Sequence, residues 1–139
     1  MFTCIIVAVD GSKNGFQAVD HARELGARFN SKIILVHAYP HTSDMRTYEA
    51  YDRLLGERKA DGQKILDQAR TQLEKLPLEI SEDLLEGPAA EAIIRVATTR
   101  KAELIIMGTR GRGTLKGLLL GSVSTKITNH APCPVLVVR

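Results

Sequence analysis

The chain has little of what disulfide scaffolds, metalloproteins and membrane proteins are built from. Of its 139 residues only Cys4 and Cys133 are cysteine, far apart in sequence and each beside an apolar strand. They read as two buried free thiols, not a disulfide framework or a metal pair, and they point to a reducing cytoplasm. No segment approaches the roughly 20 consecutive apolar residues that a membrane span requires. No basic region precedes the short apolar run that ends at Asp10. The expectation is a soluble, unexported protein with no membrane partner. Low-complexity tracts, internal repeats and linker-like stretches are missing too, so residues 1–139 read as one domain around one core. The histidines His21, His37, His41 and His130 show neither ligand spacing nor a triad, and structural or solvated roles are expected of them.

A second absence is local. Residues 108–139 contain no Asp or Glu, yet Arg110, Arg112, Lys116, Lys126 and Arg139 lie there, so the formal charge of +3 comes from one end of the chain. Such a small, local excess suits one triphosphate better than a DNA backbone, which calls for a broad basic face. Nucleic acid is therefore not an expected partner.

What is present is an alternation of strand-like runs and helical periodicity. Ile5–Val9 is apolar, Ala18, Val19, Ala22, Leu25 and Phe29 recur at helix spacing, and Ile33–Ala38 is apolar again, which is a βαβ unit. The spacing predicts a long helix from about Arg46 to Leu76, with Ile65, Leu66, Ala69, Leu73 and Leu76 as its stripe and Pro77 marking its end. A half-polar strand at 79–84, a helix opening at Pro88, a strand at Leu104–Met107, a helix near Ser122–Asn129 and a strand at Val135–Val138 follow. Five such runs alternating with four helices define a doubly wound α/β fold, a five-stranded parallel sheet with helices on both faces. Ligands of such sheets sit beyond the C-terminal strand ends.

Residues 108–124 read GTRGRGTLKGLLLGSVS, directly after an apolar strand. Glycines let backbone N–H groups close on an anion, basic side chains add positive charge, and the following helix aims its free N-terminal N–H groups at the same place. The segment is not a P-loop, because Gly108 and Gly113 are followed by Thr114 where Lys is needed. Nor is it a dinucleotide fingerprint, since Lys116 stands where Gly111 and Gly113 require a third glycine.

The spacing Gly108-x2-Gly111-x9-Gly121-Ser122, with the opening IIVAVDGS, the second run IILVHAY and the closing HAPCPVLVVR, resembles the ATP-binding branch of the universal stress protein family over the whole chain. The resemblance implies strand order 3-2-1-4-5 in a Rossmann-like sheet of the adenine nucleotide alpha hydrolase-like kind. It implies ATP, with Mg2+, as the bound ligand. Asp10 would meet the ribose or adenine end or help hold a metal, with ordinary turn chemistry beside Gly11 and Ser12 as the alternative reading. Ala38 would meet adenine through its backbone. Gly108, Gly111 and Gly121 would admit the phosphates, Ser122, Val123 and Ser124 would complete the cradle, and Met107 and Arg110 would flank the nucleotide.

No positioned base accompanies the motif, so the expected function is a nucleotide-dependent regulatory or stress-response module with slow or no hydrolysis. A weak Mg-dependent ATPase or nucleotide-dependent transferase, and a nucleotide-free dimeric interaction protein, stand as alternatives. The resemblance also implies a homodimer joined along Val135–Val138, an apolar strand expected at a sheet edge, and protein partners whose identity the sequence does not give.

Overall fold

The computed structural model describes residues 1–41, 47–109 and 120–139. Strands β1 (Cys4–Ala8), β2 (Lys32–Tyr39), β3 (Glu79–Glu86), β4 (Leu104–Gly108) and β5 (Val135–Val138) alternate with helices α1 (Lys13–Phe29), α2 (Tyr48–Leu73), α3 (Ala89–Thr99) and α4 (Ser122–His130). All pairings are parallel and the order is β3-β2-β1-β4-β5, as the sequence reading expects.

The central strands are runs of Ile, Val and Leu buried on both faces, which is why they read as continuous rather than alternating. Two cores result. On one face Ile5, Val7, Ile33 and Leu35 meet Ala18, Val19 and Ala22 of α1 and Leu66, Ala69 and Leu73 of α2. On the other, Ile6, Ile34, Ile105 and Met107 meet Ile93 and Val96 of α3 and Ile127 of α4. The crossovers change face between β1 and β4, where neighbouring strands feed helices on opposite sides of the sheet.

Helix boundaries follow their caps. Ser12 accepts from the N–H of Gly15 at 3.1 Å, and Asn30 ends α1 in the left-handed region at φ 52°. Thr47 caps α2 by accepting from Ala50 N–H at 3.1 Å, so the helix starts at Tyr48; Arg46 lies outside the described residues. At the other end α2 stops at Leu73, short of the expected Leu76. Glu74 is its C-cap and Pro77 disfavours helical backbone at Leu76, leaving a turn in between.

Both cysteines are free, and both are half-buried rather than buried as the sequence reading has it. Cys4 opens β1, and Cys133 lies in the turn between α4 and β5. Burial pushes both thiols up from their ordinary pKa, Cys133 with a smaller rise from Cys4.

The two sheet edges differ in chemistry. Outer strand β3 carries Glu79, Glu82, Asp83 and Glu86, which pair with Lys32, Arg70, Arg100 and His41 at 3.5, 3.0, 3.3 and 3.5 Å. Charge of this kind blunts an edge against further strand pairing. At the opposite edge, β5 is VLVV. Among the described residues no helix is long and apolar enough to cross a membrane.

Candidate functional site

A cavity of about 600 Å³ opens over the C-terminal ends of β1, β2 and β4. That volume is ordinary for a small-molecule site. Its floor comes from Ala8, Val9 and Asp10 after β1, from Val36, His37 and Ala38 on β2, and from Met107 and Gly108 on β4. Gly121, Ser122, Val123 and Ser124 close one side. Of the sequence candidates, Asp10, Ala38, Met107, Gly108, Gly121, Ser122, Val123 and Ser124 thus share one wall, although they come from four separate parts of the chain. Arg110 and Gly111, like Arg112 and Lys116, lie outside the described residues.

The start of α4 lines the cavity with Ser122, Val123 and Ser124. Gly121 has extended backbone (φ −74°, ψ 172°) and supplies no side-chain cap, and the first turn holds no acid. The N–H groups of Ser122, Val123 and Ser124 precede the first intrahelical acceptor, Gly121 O, which takes Thr125 N–H at 3.0 Å. Three donors with no partner among the described residues, at the positive end of a helix that lines a cavity, are the elements of an anion site.

Thr109 holds this helix in place. Its carbonyl accepts from Gly121 N–H at 2.6 Å and from the Ser124 hydroxyl at 2.8 Å, and its own N–H donates to Val138 O at 2.8 Å. Ser124 is 2% exposed, so its hydroxyl proton fixes the chain ends that flank residues 110–119. Ser122, by contrast, is exposed.

Gly108 has a packing role. A Cβ built on it would stand 2.7 Å from Asn14 Cβ, 3.0 Å from Asn14 C and 3.1 Å from Gly15 N. The missing side chain is what lets the first turn of α1 press against the end of β4. Asp10 Oδ1 accepts from Ser12 N–H at 2.9 Å and from the Ser12 hydroxyl, which in turn takes Gly15 N–H. The turn chemistry of Asp-Gly-Ser is thus present, at a residue that also lines the cavity.

The remaining wall was not legible from the motif. Leu54, Glu57, Arg58, Asp61 and Ile65 of α2 and Ala89 and Ile93 of α3 complete it. Arg58 reaches the exit of β2, its guanidinium donating to Pro40 O at 3.0 Å and to His41 O. The available signal was Gly62: a Cβ there would meet Leu84 Cδ1 at 2.6 Å and His37 Cδ2 at 2.8 Å. Glycine inside a helix marks such a close approach. Among the described residues no three His, Cys, Asp or Glu side chains are grouped to hold a metal ion.

A five-stranded parallel sheet of order β3-β2-β1-β4-β5, with helices on both faces and a cavity at the switch point, defines a doubly wound, Rossmann-like α/β protein. The chain matches the universal stress protein family across residues 1–139 and belongs to it. It is 38% identical over 139 residues, covering 100% of both chains, to the universal stress protein in QAH/OAS sulfhydrylase 3'region of Thermus aquaticus. The solved structure of hypothetical protein MJ0577 is similar at TM-score 0.90 and 25% identity, with 99% of this chain and 96% of that one covered. A universal stress protein in complex with cAMP is similar at TM-score 0.77 and 26% identity, with 99% and 97% covered.

Proposed function

We propose that the crevice binds an adenine nucleotide, with ATP and Mg2+ as the ligand, and that the protein is a single-domain regulatory module of the stress response. The observation that carries this is the uncapped, acid-free start of α4 facing the cavity. It supplies backbone donors and positive potential where phosphates need them. The similar universal stress protein solved with cAMP supports the adenylate class.

Hydrolysis is slow or absent on this reading. The cavity's carboxylates are Asp10, Glu57 and Asp61, on the β1 turn and on α2. Helices α2 and α4 pack on opposite faces of the sheet, so the two α2 acids approach the cavity from the side opposite the α4 start, and no metal cluster accompanies them among the described residues.

The two edges support a homodimer along β5, since β3 is guarded by charge and β5 presents Val135, Leu136 and Val137 half-buried. Free thiols fit a cytoplasmic setting.

The test is calorimetric titration of ATP with Mg2+ into nucleotide-stripped protein, beside a Gly121→Val, Ser122→Ala variant of unchanged fold. Saturable binding by the natural protein and its loss in the variant are expected. Failure of the stripped natural protein to bind would overturn the assignment.

A further inference from the structure

Helix α2 is docked along one half only. Its buried residues, Gly62, Ile65, Leu66, Ala69 and Leu73, all lie in its C-terminal part. The polar ties gather there too. Gln63 and Arg70 donate to Glu82 of β3 at 3.3 and 3.0 Å, and Gln72 donates to Phe16 O and Asp20 of α1 at 3.1 and 3.0 Å. The stretch Tyr48–Asp61 contains no buried residue, although it amounts to about 20 Å of helix. Helices draw most of their stability from packing, and Gly56 lowers the helix propensity of this stretch further. Yet it is this half that faces the cavity, through Leu54, Glu57, Arg58 and Asp61.

One side chain ties it down. Arg58 Nη1 donates to Pro40 O at 3.0 Å and to His41 O, and among the described residues no other side chain of Tyr48–Asp61 hydrogen-bonds to another element. Both acceptors follow the end of β2, and Pro40 itself lines the cavity. His41 is anchored in turn, with Nδ1 3.5 Å from Glu86 of β3. The tie thus runs from the undocked half of α2 to the sheet. We propose that Tyr48–Asp61 is a wall of the crevice that opens as a unit while the rest of α2 stays docked, and that Arg58 is the latch that holds it closed, governing the entry and exit of the ligand alike. The ligand part of this inference rests on the nucleotide reading above, whereas the wall rests on the packing of α2. Arg58 acts here as a positioning residue and not as a ligand contact.

The experiment uses Arg58→Met, which keeps an unbranched apolar stem and a good helix former while removing the donors. Hydrogen exchange of the nucleotide-free chain is read by mass spectrometry. Amides of Tyr48–Asp61 should exchange about tenfold faster in the variant, the worth of a charge-assisted hydrogen bond, while those of β1, β2 and Ile65–Leu73 keep their rates. Stopped-flow kinetics with a fluorescent ATP analogue and Mg2+ should then show association and dissociation both quickened about tenfold, with Kd unchanged within about threefold, because a latch alters the barrier and not the bound contacts. If Arg58→Met fails to fold, Gly56→Ala decides: it firms the same stretch, so exchange there and both nucleotide rates should slow together. Exchange in Tyr48–Asp61 that is unchanged in Arg58→Met, or quickened equally throughout the chain, would overturn the inference. So would faster dissociation with unchanged association, which would make Arg58 a ligand contact, or nucleotide rates that stay fixed while exchange in Gly56→Ala slows. Absence of nucleotide binding by the natural protein would instead remove the proposed function, leaving the exchange rates to decide the wall.

Discussion

The Ser124 hydroxyl donates to Thr109 O at 2.8 Å across a sequence separation of 15 residues, and the same carbonyl takes Gly121 N–H at 2.6 Å. Helix α4 is thus bolted to the end of β4, which fixes the direction of its first N–H groups. Ser124→Ala removes the only donor of the pair that is a side chain. The expected cost is about 1 kcal/mol of unfolding free energy, because Thr109 O keeps its backbone partner. Urea denaturation should show that loss for Ser124→Ala and a change within about 0.5 kcal/mol for the exposed Ser122→Ala. Equal stability of the two variants would mean that the bolt is not formed in solution.

Gly108→Ala tests the contact between β4 and α1. The new methyl would lie 2.7 Å from Asn14 Cβ and close to two backbone atoms, which cannot swing aside as a side-chain tip can. Overpacking of this sort costs about 1–3 kcal/mol. The thermal midpoint should fall, and nucleotide affinity should fall with it as the β4 end moves away from α4. An unchanged midpoint would show that α1 has freedom to retreat.

Two glycines of α2 should answer oppositely to one substitution. Nothing lies within 4 Å of a Cβ at Gly56, so Gly56→Ala gains helix propensity and should stabilise by up to about 1 kcal/mol. At Gly62 the same methyl would meet Leu84 Cδ1 at 2.6 Å and His37 Cδ2 at 2.8 Å. Leu84 can give, but the ring is held by Val9 O at 2.7 Å. Gly62→Ala should therefore destabilise, the steric term outweighing the same propensity gain. Chemical denaturation of both variants reads the sign directly, and stabilisation by both would contradict the packing at Gly62.

The contrast between those glycines shows where sequence reading stops. The five strands were legible because apolar runs such as Ile33–Val36 are local patterns, whereas the strand order and the meeting of Asp10, Ala38, Met107, Gly108 and Gly121 came from the family resemblance. The α2 wall was not. Glu57, Arg58 and Asp61 lie off the apolar stripe of α2, and the fold alone brings them over the exit of β2. Likewise Gly108 read as room for phosphate, and only the approach of Asn14 in three dimensions shows that the room is already taken. Leu73 ends α2 because of a cap and a downstream proline, a balance that periodicity cannot resolve to one turn.

Thiol reactivity follows from burial. Both cysteines have their pKa raised, chiefly by desolvation, so at a given pH each exposes less thiolate than a free cysteine does. Labelling with a disulfide-exchange reagent at pH 8 should be slow in the native state and fast in denaturant, with both thiols reacting once unfolded. Rapid native labelling of either would mean that the start of β1 or the turn before β5 opens readily.

The bare edge gives the last expectation. Val137 is half-buried on β5 and belongs to neither apolar core cluster, so a charge there leaves the interior intact while placing repulsion on the edge. If two copies join along β5, the natural protein should scatter light as twice 15.3 kDa at micromolar concentration, and Val137→Lys should return it to a single chain's mass with an unchanged far-ultraviolet spectrum. Lysine on the acid-rich outer strand, in place of the exposed Glu79, should leave the dimer mass as it was, because that edge is still guarded by Glu82 and Asp83. A natural protein that scatters as one chain removes the β5 dimer; a dimer untouched by Val137→Lys moves the interface elsewhere.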